Sequence, residues 1–167
     1  WSNGETGDSI TLTQADVGST ITVTASYTDG QGRAESVTSS ATSSVVNVND
    51  APTGSVTISG TPTEGEVLTA SNNIADVDGM GTITYTWSNG ETGETITLTQ
   101  ADVGSAITVT VSYTDGEGAA ESITSNPTDE VANVNDAPTG SVTISGTPTE
   151  GEVLTASNNI ADVDGMG

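Results

Sequence analysis

The side chains able to do chemistry in this chain are almost all carboxylates, and they gather in turns. The sequence holds 23 Asp and Glu against a single basic residue, Arg33, with no His and no Cys. Asp76 and Asp78 lie in ADVDG, Asp115 in TDGEG, and Asn47, Asn49 and Asp50 in NVND. Acids at alternate positions followed by Gly put several oxygens on one side of a tight loop. That arrangement suits Ca²⁺, a hard cation taking six to eight oxygen ligands. The competing reading of the same letters is a solvated turn whose Asp side chains accept from nearby backbone amides.

What is missing narrows the field further. Without Cys there is no disulfide, thiolate metal site or Cys nucleophile. Without His there is no Ser-His-Asp triad and no common zinc site. Without Lys there is no Lys–Asn isopeptide staple, no Schiff base and no P-loop. An enzyme is therefore not expected. A formal charge of −22 repels nucleic acid and anionic membranes and leaves cations as the natural complement. No apolar run reads as a membrane-spanning helix. High negative charge with few aromatics is also a signature of disorder, but Val, Ile, Thr and Tyr recur in alternation, which disordered chains lack.

The acidic turns are carried on a repeat. Trp1 recurs as Trp87, Asp50 as Asp136 and Asp78 as Asp164, a period of 86 residues. Residues 51–81 and 137–167 are identical letter for letter, and residues 1–50 match 87–136 with scattered changes such as Ala25/Val111 and Gln31/Glu117. The segment NVNDAPTG, at Asn47–Gly54 and again at Asn133–Gly140, breaks the pattern with Asn, Asp, Pro and Gly and marks the boundary between repeats. The organisation that follows is the C-terminal part of a repeat over 1–48, a complete repeat over 49–134, and the N-terminal part of the next over 135–167.

Each repeat reads as β throughout, and nothing reads as a helix. SVTIS places Val56 and Ile58 on one face, TITYTW places Ile83, Tyr85 and Trp87, and ETITLT offers Ile96 and Leu98. AITVTVSY is the clearest, with Ile107, Val109, Val111 and Tyr113 facing in and Thr or Ser facing out. That period of two belongs to half-buried strands, and SNGETG, TDGEG and GTPTEGE supply turns between them. Six or seven short strands per repeat fit one β-sandwich each. Trp1 and Trp87 fall in phase with the apolar face and read as core rather than as a sugar-stacking platform. On this fold ADVDG becomes the B–C loop and TDGEG the F–G loop, at the end where NVND enters. A sandwich of this size buries only about 60% of its unfolded surface and is marginal without a disulfide or metal.

Three segments carry a resemblance. VNVNDAP is similar to the cadherin interdomain linker Asp-x-Asn-Asp-x-Ala-Pro, and ADVDG is similar to the cadherin Asp-x-Asp motif. LTQADVGSAITVTVSY, over Leu98–Tyr113, resembles the immunoglobulin E–F corner, with Ile107 and Val109 in place of its Tyr and Cys. The whole chain resembles the tandem immunoglobulin-like or cadherin-like extender repeats of large bacterial RTX-type surface adhesins. The resemblance implies an all-β architecture of tandem immunoglobulin-like (cadherin-like) β-sandwich domains, secretion to the cell surface, and calcium at the junctions. It implies linker ligands Asn49 and Asp50, with Asn135 and Asp136, and loop ligands Asp76 and Asp78, with Asp162 and Asp164. Asp115 is the further loop candidate, and Glu64 would face the following junction. The cadherin Leu-Asp-Arg-Glu motif has no counterpart, and the first linker Asp is Asn47 or Asn133, which removes a charge.

The function expected is a non-catalytic, calcium-stabilised extracellular extender of a bacterial adhesin. Its partners would be adjacent repeats and calcium ions, with no nucleic acid and no membrane insertion. The alternative is the repeating unit of a self-assembling extracellular fibre, in which neighbouring chains complete split sandwiches. The tandem continuation also leads to the expectation that the ends are a window on a longer array, Gly167 lying near the next Trp1. Strand donation between chains is the second account of those ends.

Overall fold

The computed structural model describes residues 1–165, and these are nearly all β. Ten strands follow in order: β1 (Thr24–Thr28), β2 (Ala34–Thr38), β3 (Val56–Ser59), β4 (Val67–Asn72), β5 (Thr84–Trp87), β6 (Thr95–Thr97), β7 (Val109–Thr114), β8 (Ala120–Thr124), β9 (Val142–Ser145) and β10 (Thr155–Asn158). The central repeat builds two three-stranded sheets, ordered β3-β4-β6 and β5-β7-β8. β1–β2 and β9–β10 are separate antiparallel hairpins.

The core follows the alternation of the sequence. Ile107, Val109, Val111 and Tyr113 are buried, while Thr108, Thr110 and Ser112 between them are half-buried. From the other sheet come Val56, Leu68, Ala70, Ile96 and Leu98. Trp87 is buried, and its indole N–H donates to the Gly93 carbonyl at 2.8 Å, as a buried indole requires. The Tyr85 hydroxyl accepts from the Asn72 amide at 2.7 Å, tying β5 to β4. Ile83 is half-buried and lies just outside β5.

One feature departs from the strand-only expectation. Two 3-10 turns occur, Gln14–Asp16 and Gln100–Asp102. In the second, the buried Asp102 carboxylate accepts from the Thr99 N–H at 2.8 Å, the Thr99 hydroxyl at 2.9 Å and the Asn89 amide at 3.0 Å. Asp16, Thr13 and Asn3 repeat the arrangement. The Thr99–Asp102 segment is thus a knot folded around one buried acid, too short to show as helical periodicity.

The chain divides into two compact units that do not follow the repeat boundary. One comprises Trp1–Gly54 together with Ile74–Ile83 and Tyr113–Ser122; the other comprises Ser55–Asn73, Thr84–Ser112 and Ile123–Gly167. The acidic loops of the central repeat therefore belong with the linker that precedes them. The Gly167 expectation concerns a residue outside those described.

Candidate metal centre

The first unit gathers the linker, the ADVDG loop and the TDGEG loop. Two glycines let the loops approach. The Gly116 N–H donates to the Asp78 carbonyl at 3.0 Å, and a Cβ on Gly116 would lie 2.5 Å from that oxygen. Gly79 turns the other loop at φ +91, which favours glycine. Each loop then holds its shape with one carboxylate. Asp76 Oδ1 accepts from the Asp78 N–H at 2.9 Å, and its Oδ2 accepts from the Tyr113 hydroxyl at 2.6 Å. Burial and that bond to Asp76 both push the Tyr113 hydroxyl's pKa up. Asp115 Oδ1 accepts from the Glu117 and Ala119 N–H groups at 3.0 and 2.7 Å.

The linker is drawn onto these loops. The Asp50 N–H donates to Asp78 Oδ2 at 2.7 Å, and the Asn49 amide donates to Glu121 Oε1 at 2.8 Å. Three oxygens remain buried and unpartnered: Asn47 Oδ1, Asp78 Oδ1 and Asp115 Oδ2. They come from the linker and from both loops, and Asp78 and Asp115 are each only 6% exposed. A buried carboxylate oxygen without a donor is costly. A cation that accepts oxygen ligands removes that cost, and a donor set without nitrogen or sulfur matches a hard ion.

The second unit repeats the motif with different neighbours. The Asp136 N–H donates to Asp164 Oδ2 at 2.7 Å, the Asp164 N–H donates to Asp162 Oδ1 at 3.0 Å, and Asp164 Oδ1 is again buried and unpartnered. Glu64 joins from the preceding strand-connecting turn, accepting from the Val134 N–H at 3.2 Å. One carboxylate oxygen from each of Glu64, Asp136 and Asp164 lies within 4.8 Å of the others. With its nitrogen turned toward the acids, the orientation that satisfies the network, the Gln100 amide donates to both Glu64 oxygens at 3.0 and 3.1 Å and to Asn133 Oδ1 at 3.0 Å.

The structure thus sorts the sequence candidates. Asp78, Asp115 and Asp164 present free buried oxygens. Glu64 and Asp136 stand beside Asp164. Asp76 spends one oxygen on its own loop and the other on Tyr113 of β7, and Asp162 spends one on the same turn, so these two shape the site. Asn49 binds Glu121, and the Asn135 amide donates to the Asp136 carbonyl at 2.9 Å. Gln100 and Glu121 were not among the sequence candidates, and Asn47 was noted in NVND without being assigned as a ligand. Asn47 sits at the first polar position of NVND, which gave a signal; Gln100 and Glu121 gave none, because only the fold brings them to the linker.

Among the described residues no helix is long and apolar enough to cross a membrane. No protein-family model matches the chain, and neither a curated protein nor a solved structure matches it significantly.

Proposed function

We propose that the chain is a non-catalytic structural repeat of immunoglobulin-like (cadherin-like) sandwiches that binds Ca²⁺ where one repeat joins the next. The observation that carries this reading is the set of three buried, unpartnered oxygens, Asn47 Oδ1, Asp78 Oδ1 and Asp115 Oδ2, drawn from a linker and two loops. Recurrence of the free Asp164 oxygen one period later adds support, because the chain spends the same cost twice. Ion binding clamps the linker against the loops. The role that fits such a unit is an extender of a bacterial cell-surface adhesin, in the calcium-rich medium outside the cell. The absence of Cys, His and Lys supports the non-catalytic part, and the charge of −22 supports a cation rather than nucleic acid as partner.

Thermal unfolding of the whole chain in millimolar calcium and in chelator tests the proposal. A ligand that binds only the folded state stabilises by about 2.7 kcal/mol at a hundred times its Kd. The melting temperature is expected to rise in calcium and the rise to vanish in Asp78→Ala. Identical melting in the two buffers would exclude a junction cation.

A further inference from the structure

Glu121 stands on the wrong side of its strand for an acid. In β8, Glu121 and Ile123 are half-buried while Ala120, Ser122 and Thr124 are exposed, so the carboxylate lies on the inward side. The Asp115 N–H on the Ala119 carbonyl and the Ser125 N–H on the Val109 carbonyl, both at 2.9 Å, set the register of β8 against β7. In that register Glu121 is opposite Tyr113, which is buried and holds Asp76. The first repeat pairs the same residues, Tyr27 opposite Glu35. An acid turned inward needs a partner. Here that partner is the linker: the Asn49 side-chain amide donates to Glu121 Oε1 at 2.8 Å, across 72 residues of sequence.

Two successive linker residues are therefore held by two different elements. Asn49 goes to β8, and the Asp50 N–H goes to Asp78 Oδ2 in the ADVDG loop at 2.7 Å. Both bonds fix the linker just after Asn47, whose Oδ1 is buried and unpartnered. A hydrogen bond from an amide to a carboxylate is about twice as strong as a neutral one. It is also directional in chemistry, because an ionised carboxylate only accepts. An inward acid on β8, the edge of the β5-β7-β8 sheet, also discourages edge pairing, but that role needs nothing from the linker.

We propose that Glu121 is the residue by which the repeat selects its linker: it demands an amide donor at position 49, and Asn49 anchors the linker there instead of ligating the cation. An acid at position 49 would set two carboxylates against each other and release the linker. Glu121 is thus a positioning residue, acting through Asn49 to keep Asn47 beside Asp78 and Asp115. The inference rests on the junction reading of the proposed function, but the anchor itself is made without any ion.

Amide hydrogen exchange of the Asp50 N–H, followed by NMR on the whole chain in chelator, tests it. Asn49→Asp and Glu121→Ala are each expected to speed that exchange by about 10-fold. The double variant Asn49→Asp, Glu121→Gln reverses donor and acceptor, the new amide donating to the new carboxylate, and is expected to restore the parent rate. An edge guard alone would show no such coupling. In calcium titrations Asn49→Asp is expected to bind more weakly than the parent, and the double variant to recover. A ligating Asn49 predicts the reverse, since a carboxylate would then replace an amide on the ion. Exchange unmoved by either single variant, a double variant that does not recover, or tighter calcium binding by Asn49→Asp would overturn the anchor. Recovery in chelator with a parent that gives no calcium heat sinks the cation reading alone; calcium heat without coupling between positions 49 and 121 sinks this inference alone.

Discussion

At the residue scale the acids divide by how many of their oxygens are already used. Asp78 has one oxygen on the Asp50 amide and one free, so it both positions the linker and offers a ligand. Asp76 has none free, and its part is to orient Asp78 through the turn and to hold Tyr113. Asp76→Ala is therefore expected to weaken calcium binding by about 10–100-fold, the usual cost of removing an orienting partner, and Asp78→Ala to weaken it by more. Calcium titrations of the two variants rank them; equal affinities for Asp76→Ala and the parent would remove that orienting role. Asp102 has a different task. Burial raises its pKa, but the Thr99 N–H and the Asn89 amide outweigh that, and the carboxyl ends below its ordinary 3.8. Asp16 is lowered in the same way, first by the Thr13 N–H. A carboxyl with a depressed folded pKa stabilises above its unfolded value and loses that contribution as pH falls through the folded one. Melting temperature in chelator should be level above about pH 5 and fall below about pH 4. In Asp102→Ala the acid limb should be shallower and the neutral-pH stability lower by about 1–3 kcal/mol. An unchanged acid limb would mean that Asp102 does not govern it.

At the scale of elements, the strands were legible because Val, Ile and Thr alternate over lengths that leave no competing period. Val109–Thr114 and its buried Val109, Val111 and Tyr113 follow directly from AITVTVSY. The 3-10 turn at Gln100–Asp102 was not legible as a turn, since its cause is a hydrogen-bond knot around Asp102 rather than a periodicity. The approach of the two acidic loops was half legible. Asp78 and Asp115 could be placed in turns from their Gly neighbours, but the Gly116 amide on the Asp78 carbonyl appears only once both loops are folded. Gly116→Ala forces a Cβ against that carbonyl, so the loops part. Calcium affinity is expected to drop while the core, which does not include Gly116, keeps its circular dichroism spectrum. Full affinity in Gly116→Ala would show that the loops need not touch. Leu68→Ala, in the fully buried heart of β4, should by contrast cost about 2–5 kcal/mol and leave the acidic loops intact, as urea unfolding in chelator would report.

For the molecule as a whole, the organising fact is that 23 acids and one base must be held together by something other than ion pairs. Self-repulsion at −22 destabilises the compact state, and buried oxygens without donors add to that cost. A divalent cation, if bound at the linkers as proposed, would counter both terms at once. Repetition was the most legible property of all, because identical letters at a spacing of 86 residues need no structure to be seen. How the repeats meet needed more than local motifs: only the cadherin-like resemblance set Glu64 toward the following junction, where it accepts from the Val134 N–H of the linker. The central claim is that these junctions bind calcium, and a calorimetric titration of the whole chain with Ca²⁺ at physiological salt tests it most directly. Saturable heat is expected, greatly diminished in the double variant Asp78→Ala, Asp164→Ala; a parent titration indistinguishable from dilution, or a double variant that binds as the parent does, would contradict it.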